Sequence, residues 1–139
     1  MPQTNQSPRI YPTFRYRNAV GMIDWLEKAF GFTVRVSYTE GGKVGHAELA
    51  FGSSMIMLGS VQDDHYGGII GEPGTQGGKG VYVAVDDCDV LYERAKAAGA
   101  TILEPPTDRP YGSREFLCAD PEGNVWGFGT YWPKADDPA

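Results

Sequence analysis

Apolar residues recur along this chain with two different periods, and the places where the period changes mark out its elements. Over residues 9–17, Ile10, Pro12, Phe14 and Tyr16 alternate with Tyr11, Thr13, Arg15 and Arg17. That period of two predicts a strand, with Pro12 pointing to an edge or a bulge. Ala19, Met22, Ile23, Leu26 and Phe30 then keep helical spacing, with Asn18 placed to cap the start and Gly31 the end. Strand patterns follow over residues 32–39, 44–51 and 54–59, separated by the turns Gly41-Gly42 and Gly52-Ser53. The first half reads βαβββ.

Residues 61–78 break the pattern: Gly67, Gly68, Gly71, Gly74, Gly77 and Gly78 lie among polar residues, with only Ile69 and Ile70 as anchors. This predicts a linker with loop freedom, and its glycines do not form the GxGxxG of a phosphate cradle. Beyond it the order repeats. A strand over 80–85 leads to Asp86 or Asp87 as the cap of a helix that Gly99 ends, and strands follow over 100–104, 113–119 and 124–131. KAFGFTV in the first half matches KAAGATI in the second, each a helix end, a glycine and a new strand. Asp120, Pro121, Glu122 and Gly123 make the turn of the last hairpin. In its second strand Trp126 and Phe128 alternate with Gly127 and Gly129, giving one bulky face and one bare one. The expected organisation is a flexible tail (1–8), a module (9–60), the linker (61–78), a second module (79–132) and a flexible tail (133–139).

Composition narrows the function classes. The 139 residues are 41% hydrophobic and 12% aromatic, enough for packed cores. No apolar run approaches the roughly 20 residues of a membrane span, and the polar start lacks the features of a signal peptide, so a cytoplasmic location is expected. A net charge of −6 repels phosphate backbones and anionic membranes, which argues against nucleic acid and membrane partners and leaves small neutral or cationic molecules. Cys88 and Cys118, far apart and without CxxC spacing, read as reduced core thiols.

The two βαβββ modules, the opening FRYRNAVGMIDWLEKAFGF and the closing DPEGNVWGFGTY together resemble the vicinal oxygen chelate superfamily of glyoxalases, extradiol dioxygenases and bleomycin-resistance proteins, especially its small glyoxalase-like and bleomycin-resistance-like members. The resemblance covers roughly residues 9–132. It implies an α+β fold in which the modules form a cupped mixed sheet with helices on the convex side, a ligand cavity on the concave side, and a homodimer. In metal-using members, each module supplies two ligands from its first and last strands. Those positions fall here on Tyr11, Met57, Gly80 and Gly127, none of which offers a His, Gln or Glu, so no metal and no other cofactor is expected.

Strand parity assigns the faces. Ile56, Leu58, Val81, Val83, Val85, Trp126 and Phe128 belong under the helices, as do Ala47, Leu49 and Phe51. The other face carries Tyr11, Thr13, Arg15, His46, Glu48, Met55, Met57, Gly80, Tyr82, Ala84, Val125, Gly127, Gly129 and Tyr131. These residues suit a small-molecule pocket with aromatic and thioether walls; the alternative, a second small core or a dimer seam, is disfavoured because glycines on one face fill space poorly. Arg15, Arg114, Tyr11, Met57, Tyr82 and Gly127 are the candidate ligand-binding residues, with Arg114 as a clamp for a carboxylate or phosphate. Arg109 and His65 read as surface residues. His46 and Glu48, two apart on one strand, are the candidate acid/base pair; alternatively Glu48 pairs with Arg15 or Arg114 while His46 is solvated. Two functions follow: a protein that binds or sequesters a planar or cationic compound, or a metal-independent lyase or isomerase acting on an activated carbonyl compound through Glu48 or His46.

Overall fold

The computed structural model describes residues 8–73 and 78–135, and the chain divides into two compact units, Met1–Pro73 and Gly74–Ala139. Most of the two expected tails and residues 74–77 of the expected linker lie outside the described residues. The first unit runs β1 (Thr13–Tyr16), α1 (Ala19–Phe30), β2 (Thr33–Glu40), β3 (Lys43–Phe51), β4 (Ser54–Ser60) and a short α2 (His65–Ile70). Its sheet has the order β1-β4-β3-β2, with β1 parallel to β4 and the other pairs antiparallel. The second unit runs β5 (Val81–Ala84), α3 (Cys88–Ala97), β6 (Thr101–Asp108), β7 (Arg114–Ala119) and β8 (Val125–Gly129). Its sheet order, β5-β8-β7-β6, repeats the same parallel and antiparallel pairings. The fold is thus α+β, two βαβββ modules each with a four-stranded mixed sheet and a packed helix.

Local chemistry sets the helix limits. The Asn18 side chain accepts from Gly21 N, and Gly31 closes α1 at φ 87, a conformation without steric cost only for glycine. One face of α1 buries Ala19, Met22, Ile23, Leu26, Ala29 and Phe30 against Tyr16, Val44, Ala47, Leu49, Ile56 and Leu58 of the sheet. Asp87 caps α3 by accepting from Val90 N. Here the helix buries only Cys88, Leu91 and Ala95, and the sheet supplies the bulk in Phe116, Cys118, Trp126 and Phe128. Each large side chain so buried is worth about 1.5–3 kcal/mol. Both cysteines are free and buried; burial pushes the Cys88 thiol up to about 11 and Cys118 to about 12, so they remain neutral packing groups.

The strand expected over 9–17 is β1 only from Thr13 to Tyr16, and two further elements differ from expectation. Part of the expected linker is the helix α2, capped by Asp64, whose side chain accepts from Gly67 N. And β6 runs on through Pro105 and Pro106 to Asp108, with register shifts between Ile102 and Glu104 and between Glu104 and Thr107, where the prolines supply no N–H. Among the described residues no helix is long and apolar enough to cross a membrane.

Candidate functional site

In the first unit the face away from α1 is laid out by strand register. Thr13 on β1 pairs with Met57 on β4, which pairs in turn with Glu48 on β3. His46 lies two residues before Glu48, and its Nε2 is 2.9 Å from Glu48 Oε2. Arg35 Nη1 donates to the other carboxylate oxygen at 2.9 Å. A register shift between Val34 and Val36 brings Arg35 within reach. The His46 hydrogen bond, helped by the Arg35 charge and opposed by burial, holds the Glu48 carboxyl below its ordinary value. A carboxylate so engaged is a weak base. In the tautomer that donates from Nε2 to Glu48, the Nδ1 lone pair of His46 is left as a hydrogen-bond acceptor.

Arg15, on the same face, is not the partner of Glu48. Its Nη1 and Nη2 donate to Asp64 Oδ1 and Oδ2 at 3.1 and 3.2 Å. Tyr11 precedes β1, and its hydroxyl donates to Pro8 O at 2.7 Å. His65 is exposed in the first turn of α2.

In the second unit Tyr82 pairs with Gly127, and Gly127 with Leu117; Gly129 pairs with Glu115. The face away from α3 therefore carries Tyr82, Leu117 and Glu115 around the glycine strand. A Cβ built on Gly127 would meet Leu117 Cδ2 at 3.0 Å, and one on Gly129 would meet Glu115 Cγ at 2.5 Å and Tyr82 Oη at 2.6 Å. The glycines thus make room for their neighbours, which lean over the bare strand. Tyr82 Oη donates to Tyr131 O at 2.6 Å, and desolvation raises the Tyr82 pKa. Tyr111 Oη donates to Glu115 Oε1 at 2.9 Å, while Arg109 Nε donates to the same oxygen at 3.2 Å and its Nη2 to Glu104. Desolvation pushes the Glu115 carboxyl up, but hydrogen bonds from Tyr111, Ser113 and Arg109 outweigh it, so the net shift is downward. Tyr111 and Tyr131 meet edge to face at 6.1 Å.

Arg114 stands apart from this group. It shares parity with Phe116 and Cys118, and donates to Asp89 of α3 and to Asp108, at 3.1 Å each. Arg109, read from the sequence as a surface residue, is the arginine that bridges Glu104 and Glu115. Sequence reasoning missed Glu115, Glu104 and Arg35; Glu115 has the parity opposite to Phe116, which puts it on the face of Leu117 and the glycine strand, whereas Arg35 depends on a bulge with no sequence mark.

The positions that the resemblance gives to metal ligands do not fit a metal. Tyr11 is committed to Pro8, Met57 is a soft thioether, and Gly80 and Gly127 have no donor. Among the described residues no group of three or more His, Cys, Asp or Glu side chains is placed to hold a metal ion.

Comparison with known proteins bears on the whole arrangement. The family model of the Glyoxalase/Bleomycin resistance protein/Dioxygenase superfamily matches residues 12–128. An uncharacterized protein of Mycobacterium bovis, Mb0911c, is 33% identical over 129 residues, which cover 90% of this chain and 84% of that protein. TioX from Micromonospora sp. ML1 is similar in structure, with a TM-score of 0.71 at 29% identity over 88% of this chain and 94% of that one. A glyoxalase-related enzyme from Fulvimarina pelagi shares the fold, with a TM-score of 0.72 at 19% identity over 96% of each chain. On its repeated βαβββ units and a family match that spans both, this chain belongs to the glyoxalase/bleomycin resistance protein/dioxygenase superfamily.

Proposed function

We propose that this protein binds or sequesters a small planar or cationic compound on the sheet faces away from its helices, without the metal chemistry of its superfamily. The observation that carries the reading is the group around the glycine strand of the second unit. Tyr82, Tyr111 and Tyr131 are 43%, 62% and 52% exposed, beside two carboxylates, Glu104 and Glu115, that share one guanidinium. Exposed aromatic rings beside surplus carboxylate attract flat, positively charged molecules through stacking and cation–π contacts. The reading places the protein in the cytoplasm as a homodimer; each sheet ends in edge strands that a second copy can cover. Sedimentation at micromolar concentration tests the dimer, and a clean monomer refutes it.

Titration with the planar cation proflavine, followed by fluorescence polarisation, tests the site. Tyr82→Ala and Tyr111→Ala should each weaken binding by about tenfold, the loss of one good aromatic contact. Affinity unchanged from that of the unmodified protein in both variants, or no binding to the unmodified protein, overturns the reading.

One observation favours a second reading, metal-independent acid/base catalysis on an activated carbonyl compound: the 2.9 Å contact of His46 with Glu48. In that case His46→Gln abolishes turnover, whereas Glu48→Gln, which keeps a hydrogen-bond acceptor, reduces it and shifts its pH profile.

A further inference from the structure

Arg15 carries a consequence that belongs to the first unit alone and stands apart from the aromatic group of the second. Its side chain is only 12% exposed, and its cover is α2. Besides the two-pronged contact with Asp64, Nη1 reaches Ser60 O at 3.4 Å and the guanidinium lies 5.0 Å from the centre of the Tyr66 ring. The Tyr66 hydroxyl is 3.1 Å from Thr13 Oγ1. Beneath, Arg15 pairs with Gly59, and its Nε lies 3.6 Å from where a Cβ on that glycine would stand, so the guanidinium lies against the sheet.

What covers Arg15 is weakly held. Helix α2 buries none of its residues. Ile69 is 70% exposed and Ile70 39%, so its apolar side chains do not anchor it to the sheet. Six residues with two glycines do not form a stable helix alone. The contacts that hold its first turn are those of Asp64 and Tyr66 with Arg15 and Thr13, while past its end Arg17 holds Glu72 and Pro73, and the Asp64 side chain is itself 44% exposed. The carboxylate on Arg15 is therefore reachable by solvent, presented by a glycine-rich segment, and seated in the fork geometry that any carboxylate adopts on a guanidinium.

We propose that Arg15 is a carboxylate-binding residue, that Asp64 fills its fork in the absence of ligand, and that the carboxylate of a flat apolar ligand takes Asp64's place. Displacement loosens the first turn of α2, whose far end Arg17 still tethers through Glu72 and Pro73, and the ligand body lies against Tyr66, giving the exposed Ile69 and Ile70 a surface to cover. The chemical class is an aromatic monocarboxylate. Asp64 is an internal competitor: the apparent affinity for such a ligand is the intrinsic one reduced by the fraction of time the fork is open.

Sodium benzoate is the probe, with benzamide as its uncharged counterpart, and binding is read by calorimetry. Asp64→Asn removes the competing charge but keeps a side chain that caps helices as well as Asp does. For a fork closed about nine-tenths of the time, this variant should bind benzoate about tenfold more tightly than the unmodified protein. Arg15→Gln should bind none, Arg15→Lys should bind weakly because it keeps the charge and loses the fork, and benzamide should bind to no form. Saturating benzoate should also speed hydrogen exchange at the Gly67 amide, which donates to Asp64 Oδ1 at 2.7 Å. Benzoate binding that survives Arg15→Gln, or that is no tighter in Asp64→Asn than in the unmodified protein, overturns the proposal, whatever proflavine does at Tyr82.

Discussion

The two units share topology and differ in where they keep their bulk. In the first, α1 supplies Met22, Ile23, Leu26 and Phe30 to the core and the strands supply mostly aliphatic residues. In the second, α3 supplies Leu91 and small residues, and the strands supply Trp126, Phe116 and Phe128. Phe116 and Phe128 stack at 5.2 Å, and Trp126 lies 6.3 Å from Phe128. The other faces diverge as well: charged in the first unit, with His46, Glu48, Arg35 and Arg15, and rich in tyrosine in the second. The same backbone pattern thus tolerates an exchange of volume between helix and sheet. What it requires is a filled layer.

The largest test of that difference is in the core. Phe128, fully buried, should lose about 3–5 kcal/mol of stability on Phe128→Ala, as large-to-small changes of buried aromatics do. Among the helices the order should be reversed. Leu26→Ala in α1, at a fully buried site, should cost several kcal/mol, and Leu91→Ala in α3, at the thinner interface, should fall near about 2 kcal/mol. Urea denaturation measures all three. If Leu91→Ala costs as much as Leu26→Ala, the two units do not divide their bulk as described.

Next in size is the connection before the last strand. The first unit joins β3 to β4 through Gly52 and Ser53, Gly52 at φ 59. The second joins β7 to β8 through a longer turn built on Asp120, which is only 3% exposed. Its carboxylate accepts from Glu122 N, Asn124 N, Asn124 Nδ2 and Trp126 Nε1 at 2.9–3.2 Å. Removing a partner leaves each buried donor with a desolvation cost of about 1–3 kcal/mol. Asp120→Ala should therefore cost about 3 kcal/mol, with a red-shifted tryptophan emission as water reaches Trp126; an unshifted spectrum and an unchanged denaturation midpoint would show that the turn needs no clamp.

That clamp marks how far the sequence could be read. The turn itself was legible, because Pro121 and Gly123 announce it and Gly123 does adopt φ 91. So was the bulky parity of Trp126 and Phe128, since a period of two needs no partner to be seen. The reach of Asp120 to the Trp126 indole was not, because it depends on where a side chain goes within a turn. Helix α2 was hidden for another reason: HYGGII has two glycines and no apolar periodicity, and it is held by Arg15 from a distant strand. The site was legible as faces and not as partners. Parity put His46 and Glu48 together, but the pairing of Glu48 with Arg35, of Arg15 with Asp64 and of Arg114 with Asp89 and Asp108 rests on a bulge, a helix and a strand end that no pattern reveals.

A smaller test concerns glycines at matching places in the two sheets. Gly59 pairs with Arg15, and Gly129 with Ala84. A Cβ at Gly59 would meet the carbonyl oxygens of Gly45 and Val44 at 3.2 and 3.3 Å, contacts relieved by a slight backbone shift. At Gly129 it would meet the Tyr82 hydroxyl and Glu115 Cγ at 2.6 and 2.5 Å, which forces Tyr82 off Tyr131 O. Gly129→Ala should destabilise by about 1–3 kcal/mol, the usual cost of overpacking, and Gly59→Ala by less. Should proflavine bind through Tyr82, Gly129→Ala weakens it and Gly59→Ala does not.

The smallest expected effect lies in acid. Glu48 in the first unit and Glu115 in the second both have a folded-state pKa below the ordinary value of 4.5. For Glu48 the leading cause is the His46 hydrogen bond; for Glu115 desolvation opposes the shift and the donors Tyr111, Ser113 and Arg109 overcome it. A carboxyl whose pKa is lower folded than unfolded binds fewer protons in the native state, so it contributes stability above the unfolded value and loses it as pH falls through the folded one. Each therefore steepens the loss of stability below about pH 4.5, and neither affects the slope near neutrality. Glu48→Gln and Glu115→Gln should each flatten that acid limb slightly, as measured by urea midpoints between pH 3 and 6, a span that brackets the ordinary carboxylate range. The two should differ in salt. Glu48 is held partly by Arg35, whose side chain is 57% exposed, whereas the Arg109 side chain beside Glu115 is 23% exposed. Salt screens the more exposed pair more strongly, so half-molar salt should erase more of the Glu48 effect than of the Glu115 effect. Equal loss in both would mean that the charged face of the first unit and the tyrosine face of the second hold their carboxylates in the same way.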